Sequence, residues 1–222
     1  MTDADALINI RTRLEGDVGF LIKLVEDHNQ KVEAKQIPFW ALLRTMFPIA
    51  EAIAGLLYGE SEGKTQANML KLFEEELCKY NINYKKCSAI LILMYRHALT
   101  HTDLPRPITN KDGTITCTWG VGFGDNIHLS IYKGAPYVRE SDGIAGIGIS
   151  IPFEVKQFYN DLLRLLEDLK ARDFGGELGK NYEAWKTYEL IDNKPIHAQA
   201  ERQIADLGKE QLPSWPLWVK IP

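Results

Sequence analysis

The densest group of residues with catalytic potential lies between positions 96 and 101. Arg96, His97 and His101 fall within six residues, directly after the apolar run from Ile90 to Tyr95. Histidine has an unperturbed pKa of about 6.5, which suits a general acid or base near neutrality. Arginine presents a planar fork of donors that matches phosphate oxygens. Together they suit a site that holds a phosphate and transfers a proton, which are the two requirements of RNA cleavage by its own 2′-hydroxyl.

Helix geometry limits how these three side chains cooperate. At about 100° per residue, His97 and His101 are four apart and share a face of a regular helix. Arg96 and His101 are five apart, which separates them by about 140° around the axis. They can converge only if the helix unwinds near Thr100 or if a second copy of the helix supplies the complementary group.

Two other interpretations of the cluster remain open on sequence alone. In a structural one, Arg96 pairs with an acid such as Glu51, and the histidines interact favourably with a helix C-terminus. In a metal-binding one, His97 and His101 are two ligands on one helix face, although the zinc-protease motif is absent because no glutamate follows His97. We expect neither a metal nor another cofactor.

The run Arg96-His97-Ala98-Leu99-Thr100-His101 resembles the hallmark of the HEPN superfamily. That hallmark is an arginine, often followed by a polar residue, with a histidine after a gap of four to six residues. The resemblance covers about residues 5 to 106 and reaches the helix predicted at 153–172 by architecture alone. It implies a helical bundle, usually a dimer that pairs two motifs.

The resemblance also implies a function. Many members are metal-independent endoribonucleases, whereas others are non-catalytic nucleic-acid binders. By this resemblance Arg96 would hold the scissile phosphate and His101 would be the general base or acid. One branch has a tyrosine two residues after the histidine; Asp103 stands there in this chain, so the chemistry of that branch is not expected.

Local charge favours a phosphate ligand. Between Tyr80 and Lys111 there are five basic residues and one acid, a local charge of 5 − 1 = +4 in a chain whose net charge is −4. The substrate contacts that we expect beyond the catalytic pair are His97, Arg106, Lys85 and Lys86. The resemblance and the local charge together predict a homodimeric protein that binds RNA, with cleavage of the bound RNA as a further hypothesis. The rival hypothesis is a non-catalytic interaction module of the same fold.

Apolar periodicity predicts the elements that position the cluster. Helices are expected over residues 3–33, 37–58, 64–80, 84–102 and 153–172, with weaker ones at 181–191 and 195–207. The helix at 37–58 is apolar nearly all round, which is typical of a central buried helix. Pro48 is expected to kink it.

The hydrophobic periodicity changes between residues 114 and 132. Residues 114–119 and 127–132 have period-two, β-branched and aromatic character and predict a β-hairpin after a turn at 111–113, with 147–151 as a third strand. The predicted fold is therefore mainly α: a HEPN-like bundle over 1–175 with a small β-hairpin insert (about 112–151). A helical, Pro- and Trp-rich C-terminal extension, 176–222, is expected to pack on the bundle.

Composition narrows the class of protein. The chain is 45% hydrophobic and 25% charged, which is ordinary for a globular domain. Its three cysteines form no C-x-x-C pair, which argues against a disulfide framework or a thiolate zinc site. The N-terminus lacks a signal-peptide pattern, and charged residues interrupt the most apolar stretch, Phe39 to Tyr58. We expect a cytoplasmic protein without a membrane span.

Overall fold

Helices account for most of the chain that the structure, a computed structural model, describes. The described residues are 1–29, 39–59, 64–97, 105–123, 127–138, 143, 145–185 and 195–211. The helices are α1 (Asp3–Arg13), α2 (Phe20–Asn29), α3 (Phe39–Tyr58), α4 (Thr65–Lys71), α5 (Asn83–Leu91), α6 (Val155–Lys170), α7 (Glu177–Trp185) and α8 (Pro195–Lys209). The prediction of a mainly α fold is confirmed. The predicted ends at 30–33, 37–38, 98–102 and 186–191 lie outside the described residues.

Three π-helical segments extend these helices without a break. Leu14–Gly19 joins α1 to α2, Leu72–Glu76 follows α4 and leads into the 3₁₀ turn Leu77–Lys79, and Ile92–His97 continues α5. The first segment explains an unusual apolar spacing. Ile10, Leu14, Val18 and Ile22 recur every four residues and are all buried. In a regular α-helix this spacing drifts by about 40° per step, and the wider π turn absorbs the drift.

The helix α3 forms the centre of the core, as predicted. Twelve of its 20 residues are buried, and the ring of Phe47 packs within 6.5 Å of four other aromatic rings, those of Phe73, Tyr95, Phe153 and Phe158. By length and composition α3 could also cross a membrane, but 61% of its apolar window is buried inside the protein. A core helix passes the same test, so this is weak evidence for a membrane span.

A four-stranded mixed sheet packs on the helices. Its strands are β1 (Ile108–Thr109), β2 (Ile115–Gly122), β3 (Tyr132–Val138) and β4 (Ala145–Glu154), in the order β1-β2-β4-β3. The strands β2 and β4 are parallel, and the outer strands are antiparallel to their neighbours. The predicted turn is present, with Gly113 at φ +75°, and the predicted third strand forms the centre of β4.

The predicted β-hairpin is wrong. Residues 127–131 form a turn, in which Ser130 N–H donates to the Ile127 carbonyl and Leu129 has φ +57°, and the strand β3 that comes next does not pair with β2. The carbonyls of His128 and Leu129 accept hydrogen bonds from the side chains of Asn81 and Asn83 instead. The alternation that predicted a strand is not reflected in the burial of these residues, since His128, Leu129 and Ile131 are all buried.

The C-terminal helices pack on different parts of the molecule. Helix α7 lies against α1 and α3, where the Asn181 side chain donates to the Leu56 carbonyl at 2.9 Å. Helix α8 lies against α5 and β2. The predicted Trp-rich tail, 212–222, lies outside the described residues.

Candidate functional site

The arginine of the predicted site lies near the end of a buried helix. Arg96 is the last but one residue of the π segment Ile92–His97, which continues α5. The residues before it from Cys87 onward are nearly all buried, so the helix passes through the core and reaches its rim at this point. The Arg96 side chain is 12% exposed. It therefore lies at the rim of the core, as the apolar run before it predicts.

A carboxylate from α3 holds Arg96. The Arg96 Nη2 donates to Glu51 Oε1 at 2.7 Å, and Nε donates to Oε2 at 3.4 Å. The Glu51 side chain is 11% exposed, so both charges are largely removed from water. A two-point contact fixes the plane of the guanidinium. The structural interpretation of the cluster predicted this pairing.

Tyr95 anchors the same end of the helix. Its ring stacks on Phe47 at 6.0 Å and packs on Phe153 at 4.9 Å, and its hydroxyl donates to the Gly120 carbonyl in β2. Burial raises the pKa of the Tyr95 hydroxyl well above its ordinary value, so it remains a neutral donor. The helix end that carries Arg96 is thereby attached to both α3 and the sheet.

The other predicted site residues divide between the two ends of this helix. The Arg106 side chain is exposed, and its backbone N–H donates to the Met94 carbonyl at 3.4 Å, which brings it to the same end as Arg96. Lys85 and Lys86 lie in the first turn of α5, roughly 15 Å away along the helix axis. The structure therefore brings together Arg96 and Arg106 and separates the lysines from them. His97 closes the π segment, and His101 lies outside the described residues.

Acidic residues from distant parts of the chain oppose the local positive charge. Glu51 pairs with Arg96, Glu210 pairs with Lys86 at 3.2 Å, and Glu201 accepts from the backbone N–H of Lys111. In the folded chain, acids from other segments therefore offset much of the positive charge of residues 80–111. Of the two predicted site arginines at this end, Arg106 has the exposed side chain.

A second group of titratable residues, which the sequence did not reveal, is fully buried. Glu154 N–H donates to His128 Nδ1 at 2.9 Å, so the proton of the neutral ring is on Nε2, which contacts the Tyr84 hydroxyl at 2.7 Å. That hydroxyl donates to Asp161 Oδ2 at 2.9 Å. Gln157 donates to the other carboxylate oxygen. A lone histidine between apolar residues was the only sequence signal.

Burial determines the protonation of this group. It lowers the pKa of His128 to about 3 and raises the pKa of Asp161 above its ordinary value. The side chains have no access to a substrate, because Tyr84, His128 and Asp161 are at most 5% exposed. Their role is to join α5, α6 and the turn at 127–131.

Thiols and metals add no further site in the described chain. The three cysteines are free, and burial raises the pKa of the Cys87 and Cys117 thiols, which disfavours the reactive thiolate. Among the described residues there is no cluster of three or more histidines, cysteines or carboxylates that could hold a metal ion.

Comparison with known proteins identifies no relative. No protein-family model matches the chain, and neither a curated protein nor a solved structure gives a significant match.

Proposed function

We propose that this chain is a HEPN-like protein that binds single-stranded RNA and cleaves it without a metal at the Arg96 end of the α5 helix. The observation that carries the proposal is the orientation of Arg96: Glu51 holds its guanidinium at the rim of the core, next to His97 and five residues before His101. A preorganised cation beside histidines suits the developing charge of a phosphoryl transfer.

The proposed reaction uses the 2′-hydroxyl of the RNA as nucleophile. His101 removes the 2′ proton as the 2′-oxygen bonds to phosphorus, and Arg96 stabilises the charge that develops on the phosphoryl oxygens. The bond from phosphorus to the 5′-oxygen breaks, and a general acid protonates that oxygen. The products are a 2′,3′-cyclic phosphate and a free 5′-hydroxyl, so DNA is not a substrate.

Glu51 acts as a positioning residue in this proposal. It removes rotamer freedom from Arg96 before the ligand arrives, which reduces the entropy that binding must overcome. It also competes with phosphate for the same donors. Glu51→Gln keeps the shape of the side chain but removes its charge. Because positioning and competition are affected differently, we expect this variant to alter RNA affinity and catalytic rate in different proportions.

A dimer that pairs two copies of the motif is part of the proposal. The described π segment ends at His97, four residues before His101 in the sequence. A regular α-helix would separate Arg96 and His101 by about 140°. In the proposed dimer, one protomer supplies Arg96 and the other supplies His101, because a single regular helix does not bring the two together. Arg106, at the same end, and His97 are the further phosphate contacts that we propose, and Lys85 and Lys86 would meet RNA only beyond the cleavage point.

The decisive experiment measures cleavage of a fluorescent single-stranded RNA in the presence of a chelator. The wild type should cut it, and should not cut the same oligonucleotide with a 2′-deoxy sugar at the cleavage position. We expect His101→Ala to lower the rate by about 10²–10⁴-fold, the usual contribution of acid-base catalysis. Arg96→Lys should also fail because a point charge does not reproduce the fork. His97→Ala should weaken mainly binding.

The matched control is His28→Ala, which removes an exposed histidine on α2 and should leave the rate unchanged. A mixture of Arg96→Ala and His101→Ala protomers should recover part of the activity if one site takes residues from both chains. Cleavage that persists in His101→Ala would rule out the proposed site.

One observation favours the second candidate, a non-catalytic interaction module. Arg96 is already paired within its own chain, at 12% exposure, as a structural residue would be. The module is the better description if the wild type neither cuts nor binds RNA at low salt, where phosphate contacts are strongest.

A further inference from the structure

The side chain of Gln203 lies across one turn of the helix that carries Arg96. Gln203, in α8, accepts a hydrogen bond from the backbone N–H of Ala89 at 2.9 Å through Oε1. Its Nε2 donates to the Lys85 carbonyl at 3.3 Å and to Ser88 Oγ at 2.8 Å. Ala89 N–H and Lys85 C=O are the donor and acceptor of a single i→i−4 pair of α5. The amide therefore contacts both members of that pair from outside the helix.

Packing holds the Gln203 amide in this position. Ala200, Ile204 and Leu207 of α8 are buried. A side chain at Gly208 would collide with Ile115 of β2, so the helix lies directly on the sheet. The position of the amide is thus determined by the docking of α8 as a whole.

The Gln203 amide lies just before the π segment. A side chain that hydrogen-bonds to the i→i−4 ladder can bend or rotate the next part of the helix. The π segment begins three residues after Ala89, at Ile92, whose N–H reaches the carbonyls of both Ser88 and Ala89. Four residues further on is Arg96. The rotation of the helix at Ala89 therefore determines the direction in which Arg96 leaves it.

We propose that Gln203 is a positioning residue for Arg96: its amide ties the turn Lys85–Ala89 to α8 and so fixes the rotation of the π segment that directs Arg96 at Glu51. The consequence for RNA cleavage rests on the proposed function. The consequence for the geometry of Arg96 does not, and can be measured separately.

The geometric test uses NMR of the full chain. Coupling across the hydrogen bond should give a correlation between the Ala89 amide nitrogen and the side-chain carbonyl carbon of Gln203. In Gln203→Met the side chain has similar length but no amide, and the Nε–H resonance of Arg96 should shift. The matched control is Glu201→Met on the same helix, which removes the contact to the Lys111 N–H and should leave that resonance in place. An unchanged Arg96 resonance in Gln203→Met would overturn the proposal.

The functional test compares the same two variants in RNA cleavage. A misdirected Arg96 should lower the single-turnover rate by about 10–100-fold, the effect of a small misplacement of a catalytic group, with little change in RNA affinity. Glu201→Met should retain the wild-type rate. Should Gln203→Met fail to fold, Gln203→Glu retains the acceptor for Ala89 and loses the donor to Lys85, and an unshifted Arg96 resonance in it contradicts the proposal.

The two proposals fail in different ways. A wild type that does not cleave RNA removes the proposed function, and the Arg96 resonance still decides the role of Gln203. A wild type that cleaves, with Gln203→Met cleaving equally well, overturns the role of Gln203 and leaves the proposed function standing.

Discussion

At the scale of single residues, two buried groups of charged or titratable side chains have measurable effects on stability. The first is the pair of Glu51 and Arg96, with side chains 11% and 12% exposed. Such a pair adds little net stability, since desolvation offsets the attraction, but removal of one partner leaves a charge uncompensated. The pair therefore specifies how α3 and the end of α5 meet.

A double-mutant cycle measures the energetic coupling between Glu51 and Arg96. Arg96→Met and Glu51→Met are each expected to lower the free energy of unfolding by about 3 kcal/mol, because each leaves one buried charge. The double variant should lose less than the sum, by about 1–3 kcal/mol. Urea unfolding of the four proteins gives the coupling. Additive losses would mean that the two charges do not depend on each other in solution.

The second group makes stability depend on pH. His128 has a pKa of about 3 in the folded protein, against about 6.5 in an unfolded chain. Between these values the unfolded state binds more protons, so stability is complete above about pH 6.5 and falls as the pH drops toward 3. The raised pKa of Asp161 acts in the opposite direction and offsets part of this loss.

Replacing the ring tests this linkage. His128→Gln retains a donor toward Tyr84 and does not titrate. We expect the free energy of unfolding of the wild type to fall by about 1–2 kcal/mol between about pH 7 and about pH 5, and that of His128→Gln to change less. Urea titrations at both pH values measure the difference. In His28→Gln, which changes an exposed histidine, the pH dependence should match the wild type.

At the scale of elements, the π segment between α1 and α2 offers a matched pair of glycines. A Cβ at Gly19 would lie 2.6 Å from the Tyr159 hydroxyl of α6, whereas nothing lies within 4 Å of one at Gly16. Gly16→Ala should therefore stabilise the protein by about 0.5–1 kcal/mol through helix propensity. Gly19→Ala should lack this gain or be destabilising because the Tyr159 side chain must move. Thermal unfolding compares the two.

Removing the obstructing hydroxyl provides the control for Gly19. Tyr159→Phe should have a small effect alone and should recover most of the loss in combination with Gly19→Ala. If Gly19→Ala is as stabilising as Gly16→Ala, then the Tyr159 hydroxyl does not lie against Gly19 in solution.

At the scale of the whole molecule, the N-terminus holds a helix near the opposite end of the chain. The Asp3 carboxylate accepts from the backbone N–H groups of Gly176 and Gly179, at 2.8 and 2.9 Å, in the first turn of α7. It thus serves as the N-cap of a helix more than 170 residues away. Since α7 also lies on α3, we expect α7 to unfold together with α1 and α3.

Asp3→Ala tests this connection. It should lower the free energy of unfolding by about 1 kcal/mol, the usual effect of losing an N-cap, and the melting temperature by about 2–4 °C. Asp3→Asn, which retains one acceptor oxygen, should lose less. Calorimetry should show one transition in each protein. A separate low-temperature transition in Asp3→Ala would show that α7 unfolds independently of the bundle.

The helices were accessible from sequence because their signals are local. The predicted central helix is α3, and the apolar run before Arg96 is buried as its composition indicates. The predicted third strand at 147–151 lies within β4 for the same reason. Hydrophobic spacing is a property of neighbouring residues, and the hydrophobic effect acts on it wherever the segment packs.

Pairings between distant segments were decided only in three dimensions. Alternation at residues 127–132 predicted a hairpin strand, but two asparagines from the start of α5 and the turn before it satisfy the backbone there, and β2 pairs in parallel with β4 instead. The π segments are likewise an outcome of packing, because a spacing of four residues in a helix identifies its buried side and not the width of its turns.

The candidate site shows the same division. Sequence supplied the residues Arg96, His97 and His101 and suggested Glu51 as a partner for Arg96. Only the fold joined Arg96 to Glu51, brought Arg106 to the same end, carried Lys85 and Lys86 to the other, and laid Gln203 across the ladder of α5. Residue types determine which chemistry is available, since pKa and donor geometry belong to the side chain. Which of those groups meet depends on contacts between positions up to 124 residues apart, and no local pattern encodes them.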